Sequence, residues 1–203
     1  MAENIDTKEL ILEKTYLLLL LKGVDSVSIS DIQKETGLSR GLLYHYFGNK
    51  EALFQAIAEK YLINLLKLPA DSLSGYTLSE LIEYYIFTYA DLINQAWGKY
   101  ACDYQITIAN YDFLIFRLSE LNPELKEKFK AIWEDEVHIW EKALVNSQIK
   151  SELREIGEPY ETAKYFQYLI NGIWMNSVTQ GTDQGLIETL EKTLKGFYRL
   201  LKR

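Results

Sequence analysis

Few side chains in this sequence could carry out chemistry, and their spacing excludes most kinds. The chain holds two histidines, His45 and His138, and one cysteine, Cys102. No His/Cys spacing suits zinc, so no metal site is expected. No glycine-rich loop follows a strand-like segment, so phosphate-cradling and dinucleotide motifs are absent. Glu134-Asp135-Glu136 is a run of carboxylates. Adjacent positions on a helix splay around its axis, so a solvated face is expected there rather than a catalytic pair. These residues offer no constellation for an enzyme, and no cofactor is expected. A lone Cys102 forms no intramolecular disulfide. It is expected as a small buried filler in preference to a redox sensor.

The informative polar residues lie between Ser28 and Lys50. Ser28 followed three residues later by Asp31 is a capping-box-like helix start. That short helix ends at Thr36-Gly37, where glycine tolerates the left-handed conformation. Ser39 can cap a third helix running through about Phe47, and Gly48-Asn49 breaks the chain again. Two short helices joined by a three-residue turn containing glycine form a helix-turn-helix. Ile32, Leu38, Leu43 and Phe47 are spaced to hold its angle from inside, which leaves Arg40, Gly41, Tyr44 and His45 on the outer face. Gly41 costs helix stability. That cost is easiest to explain if something must approach the backbone closely.

The rest of the chain reads as helix. A first helix spans about Asp6 to Lys22 and stops at Gly23. Asn49 caps a fourth, Lys50 to about Lys67. Leu68 to Gly75 is linker-like. Thr77 or Ser79 starts a fifth helix, to about Ala96, apolar around most of its circumference and so expected at the centre of its domain. Two shorter helices are expected within 99–121. Pro123 opens a long one to about Asn146, Pro159 another to about Gln180, and a last helix runs from Leu186 to about Leu201. No alternating β pattern appears. The expected fold is all-α: a helix-turn-helix domain in residues 1–48, a connecting helix starting within 49–67, and a larger helical domain in 68–203.

Charge gives nucleic-acid binding no help. The chain of 203 residues has a formal net charge of −7. Residues 1–60 carry seven basic and nine acidic side chains, and the remainder 15 and 20. A few placed cations and helix N-termini would have to carry any DNA contact. The start, Met1-Ala2-Glu3-Asn4-Ile5-Asp6, shows no basic region leading into an apolar one, and Leu17 to Leu21 is too short to span a bilayer. A cytoplasmic protein without membrane partners is expected.

The block from Ile11-Leu12 and Leu18, through Gly23, Ile32, Gly37-Leu38-Ser39 and Gly41, to Leu43-Tyr44-His45-Tyr46-Phe47 and Asn49-Lys50-Glu51-Ala52-Leu53 resembles the TetR (tetracycline repressor-like) family of transcriptional regulators. The resemblance covers about residues 6–66. Beyond residue 66 only the layout of helices is similar. Lys14 and Thr15 depart from the family's usual pair of alanines, and Gln33 stands where alanine is usual. The resemblance implies that the helix at 39–46 enters the major groove of a pseudo-palindromic operator. Arg40 is then the candidate for a base edge, since Arg reads guanine bidentately. Tyr44, His45, Lys50 and Ser28 become candidates for phosphate. Ser39 serves as cap or contact, while Tyr46 and Phe47 are expected in the core.

The same resemblance implies a repressor released by a small effector, and a homodimer. Trp97, Tyr100, Tyr104, Tyr111, Trp133, Trp140, Tyr168 and Trp174 could line an aromatic effector pocket, although aromatic stripes at helical spacing are usually core. Asp91, Asn94 and Asp103 could orient a lipophilic, even cationic, ligand; Asp103 is expected to be exposed. The dimer interface is expected on the helices near 123–146 and 159–180, packed as a four-helix bundle. Control by a protein partner, or a constitutive architectural role, stays open at this stage.

Overall fold

The structure, a computed structural model, describes residues 6–203. The reading of Met1 to Ile5 lies outside the described residues. Among those residues the only strand-like pairing is an isolated antiparallel bridge between Leu153 and Lys202. All regular structure is otherwise helical.

Local signals set the first helices. In α1 (Thr7–Lys22), Asp6 accepts from the Lys8 amide, and Gly23 ends the helix at φ 76°. Ser28 and Asp31 complete the capping box of α2 (Ile29–Thr36), which closes on left-handed Gly37. Ser39 caps α3 (Arg40–Phe47) through the Leu42 amide. Asn49 caps α4 (Lys50–Ala58) through the Ala52 amide at 2.7 Å. Ile11, Ile32, Leu43, Leu53 and Ile57 bury between these helices and hold the helix-turn-helix angle.

The fourth helix does not run uninterrupted to Lys67. It widens into a π-helical turn, Glu59–Ile63, before α5 (Asn64–Leu66). The linker-like stretch holds a single helical turn, α6 (Ala70–Leu73). The fifth helix divides into α7 (Leu78–Ile93), a second π-helical turn (Asn94–Gly98) and α8 (Lys99–Tyr104). Both π turns position aromatic side chains: Tyr61 stacks on Tyr16 at 4.3 Å, and Trp97 is fully buried. The Tyr16 hydroxyl donates to the Ala96 carbonyl at 2.7 Å, so α1 is tied to the second of these turns.

The remaining helices are α9 (Ile108–Leu121), α10 (Pro123–Ile149), α11 (Pro159–Gln180) and α12 (Leu186–Leu201). A second core joins α7, α10, α11 and α12 around Tyr85, Trp140 and Phe166, with Trp140 and Phe166 stacked at 4.8 Å. Sequence expectation fails in three places here. The helix α7 is not buried all round, since Phe87 is 78% exposed. Tyr46 is 38% exposed rather than core, because Leu43 already fills the inner face of α3. Cys102 is exposed, on the outer side of α8.

Candidate nucleic-acid interface and cavity

The helix α3 presents its N-terminal half to solvent. Ser39, Arg40, Gly41 and His45 are exposed, and Tyr44 is half-buried. The Arg40 guanidinium lies over the Tyr44 ring at 5.3 Å from its centroid, and Nη2 donates to Tyr44 Oη at 3.3 Å. A flexible cation is thereby held along the helix face, which lowers the entropy lost when it engages a ligand. A Cβ on Gly41 would meet nothing within 4 Å. No packing inside the chain therefore requires glycine at this position. Lys50 opens α4 with its Nζ 5.0 Å from the Phe54 ring centroid.

Ser28 is differently placed. Its hydroxyl donates to Asp31 Oδ2 at 2.5 Å and accepts from the Asp31 amide, so the side chain is occupied by the capping box. Lys22 meets the same Asp31 carboxylate at 2.7 Å. Hydrogen bonds from Lys22 and Ser28 hold that carboxyl well below the usual carboxylate range.

The helices α7, α9, α10 and α11, with Leu65 and Leu66 of α5, border an open cavity of about 330 Å³. Three of the aromatic candidates line it: Tyr111, Trp133 and Trp174. The other five do not. Trp97 lies behind Tyr111 and Trp174 in the packed core, at centroid distances of 5.0 and 5.8 Å. Trp140 is sealed between Tyr85 and Phe166. Tyr100 packs edge-on against Tyr16, near α1. Tyr104 and Tyr168 are exposed. Asp91, Asn94 and Asp103 are exposed and outside the lining.

Sequence reasoning missed the two acids that line the cavity, Asp112 and Glu136, and the polar Thr88, Tyr89 and Asn171 beside them. Glu136 is not part of a solvated face. Tyr85 donates to its Oε1 at 2.6 Å and Trp140 Nε1 at 3.4 Å, and burial pushes its pKa up. Asp112 is pushed up to about 6, first by burial and then by the negative field of Asp183. A signal for Asp112 was present: it is the only acid in the first ten residues of α9, flanked by Tyr111 and Phe113. For Glu136 no comparable signal existed, because its position around the α10 axis depends on how that helix packs.

The helix α9 also reaches the helix-turn-helix end of the molecule. Asn110 Nδ2 donates to the Leu20 carbonyl at 3.0 Å. Arg117 forms two hydrogen bonds with Asp25, in the 3₁₀ turn Val24–Ser26.

Residues 11–57 match the model of the bacterial regulatory proteins of the tetR family. The chain carries the DNA-binding domain of the TetR family of transcriptional regulators. An HTH-type transcriptional regulator of Bacillus subtilis, YvdT, is 43% identical over 67 residues, covering 33% of this chain and 32% of that protein. The HTH-type transcriptional repressor AcnR of Corynebacterium efficiens is 24% identical over 194 residues, 92% of this chain and 90% of its own length. Among solved structures, NalD of Pseudomonas aeruginosa, the secondary repressor of a multidrug efflux pump, superposes with TM-score 0.68 at 21% identity over 97% of both chains. SmeT, repressor of a Stenotrophomonas maltophilia multidrug efflux pump, gives TM-score 0.68 at 18% identity over 98% of this chain and 92% of its own. The TetR-type fold thus extends over the whole chain. A chain with this domain is a DNA-binding transcriptional regulator and not an enzyme. No helix among its described residues is long and apolar enough to cross a membrane.

Proposed function

We propose that this regulator is a homodimeric repressor. In this reading residues 1–48 bind a pseudo-palindromic operator, and a small lipophilic effector in the cavity, which lies mostly within residues 68–203, releases it. One observation carries the reading. The helix α9 contributes Tyr111, Asp112 and Ile115 to the cavity and, along its length, holds Leu20 and Asp25 beside the helix-turn-helix. A ligand that favours one placement of α9 therefore favours one placement of the DNA-reading unit, and its leverage equals its differential affinity for the two. Moving the population from mostly bound to mostly released needs about 5.5 kcal/mol of such preference. A cavity of about 330 Å³ falls within the usual range for small-molecule sites.

On DNA, Arg40 reads a base edge, Tyr44, His45 and Lys50 hold phosphates, and the bare Gly41 backbone lets the duplex approach closely. Ser39 supplies the cap and a further contact, and the Ser28 end of α2 adds backbone N–H groups. The dimer forms through the outer face of α11. There Tyr165, Tyr168 and Met175 are exposed, with Gly172 on the same side at helical spacing.

The test is a titration of labelled operator with the full chain, with the oligomeric state read by light scattering. A panel of small molecules is screened in parallel by tryptophan fluorescence and operator release. The expected result is one dimer per palindrome and at least one compound that both raises Tm and releases DNA. A monomer at micromolar concentration would overturn the dimer. Release by a cell extract's protein fraction, with no active compound, would replace the effector by a protein partner.

A further inference from the structure

The cavity has a chemical character beyond its size. It is aromatic, with Tyr89, Tyr111, Trp133 and Trp174 in its wall. Two carboxylic acids, Asp112 and Glu136, stand in the same wall, and no lysine, arginine or histidine does. Among the described residues, Asp112 is half-buried and takes part in no side-chain hydrogen bond or ion pair. Glu136 is held from one side only. Tyr85 and Trp140 both address Oε1, which leaves Oε2 with no protein donor among the described residues.

A carboxylate drawn part-way out of water and left short of partners favours a ligand that brings it a counter-charge. Neither carboxylate is sealed in the core: the oxygens of Asp112 and Oε2 of Glu136 lack protein partners yet keep contact with solvent, so both can meet a ligand in this aromatic cavity. We infer that the cavity recognises an organic cation, an ammonium or quaternary ammonium group on an apolar body, with Asp112 and Glu136 as counter-charges and the aromatic faces as its walls. This rests on the effector reading above and names the class of effector.

Two physical terms favour such a ligand over neutral ones of equal shape. The carboxylates act across a medium of lower dielectric than water, where an unscreened pair is stronger. The ring faces of Trp and Tyr attract a cation that is already poorly hydrated. An anion meets the opposite field. A hard metal ion is disfavoured, because no group of three or more His, Cys, Asp or Glu side chains gathers among the described residues to hold one.

Three isosteric or nearly isosteric probes decide the matter: benzyltrimethylammonium, its neutral carbon analogue neopentylbenzene, and the phenylacetate anion. Binding to the full chain is followed by fluorescence, since Trp133 and Trp174 line the site. The cation is expected to bind at least tenfold more tightly than neopentylbenzene, with phenylacetate weakest. Asp112→Asn and Glu136→Gln, which preserve shape, should each weaken the cation about tenfold or more and leave neopentylbenzene unchanged. Equal affinity for cation and neutral analogue, or no binding of the cation, overturns the inference. So does retention of its affinity in the Asp112→Asn, Glu136→Gln double variant. The two readings fail separately. A neutral compound that binds and releases operator leaves effector control standing and removes the cation. A cation that binds through both carboxylates without releasing operator does the reverse.

Discussion

Arg117 on α9 meets Asp25 through two parallel hydrogen bonds, Nε to Oδ2 at 2.7 Å and Nη2 to Oδ1 at 2.9 Å. The pair joins a cavity-lining helix to the turn just before α2. The Arg117 fork holds the Asp25 carboxyl below its ordinary pKa. Exposed ion pairs contribute little to global stability, so its role is local. Arg117→Ala should move Tm by no more than a few degrees and speed amide exchange in the Val24–Ser26 turn severalfold, leaving α11 unaffected. Unchanged exchange in that turn would show that the pair holds nothing in place.

Two cations near the start of α3 and α4 should behave differently on DNA. Arg40→Ala is expected to cost about 1–3 kcal/mol on the operator and to relax preference at one base position. Lys50→Ala should weaken operator and scrambled duplex alike and lower the salt slope by about 1. Titrations of both duplexes at several salt concentrations separate the two. An equal loss on both duplexes for Arg40→Ala would remove its base-reading role.

Neighbouring residues on α1 should respond with opposite signs. Thr15 is fully buried, and its hydroxyl has no partner among the described residues. Removing an unsatisfied buried hydroxyl stabilises, so Thr15→Val should gain about 1 kcal/mol. Tyr16→Phe loses the hydrogen bond to the Ala96 carbonyl and should cost about 0.5–1.5 kcal/mol. Urea titrations at one protein concentration would show midpoints shifted in opposite directions with unchanged slopes.

Asp112 should make stability depend on pH. Its folded pKa of about 6 lies above the ordinary 3.8, so folding takes up a proton between the two values. The group favours the folded state fully below the lower value, and that contribution is lost as pH rises through about 6. At about 1.4 kcal/mol per pH unit the difference is at most about 3 kcal/mol. Asp112→Asn should therefore raise Tm by about 3–8 °C at pH 8 and have little effect at pH 4. A Tm difference that is the same at both pH values would show that Asp112 titrates normally.

Sequence alone determined the helices and the outer face of α3. Caps, glycine stops and helix-opening prolines act within a few residues, so Ser28, Ser39, Asn49, Thr77, Pro123 and Pro159 start helices where their types predict. Arg40, Gly41 and His45 could be placed outside because Ile32 and Leu43, a few residues away, must lie inside. The cavity was decided only by tertiary structure. Whether an aromatic residue of α7 to α11 fills core, faces solvent or lines a cavity depends on how helices distant in sequence pack. Trp97, Trp133, Trp140 and Trp174 look alike in the sequence and end in different surroundings. The π-helical turns belong to the same class, since a π turn shifts the register of every later side chain around the helix, and no residue type announces it. Glu136 shows the limit most plainly. Beside Glu134 and Asp135 it reads as one more surface acid, and only the packing of α7 against α10 brings Tyr85 to its carboxylate and turns it into a cavity wall.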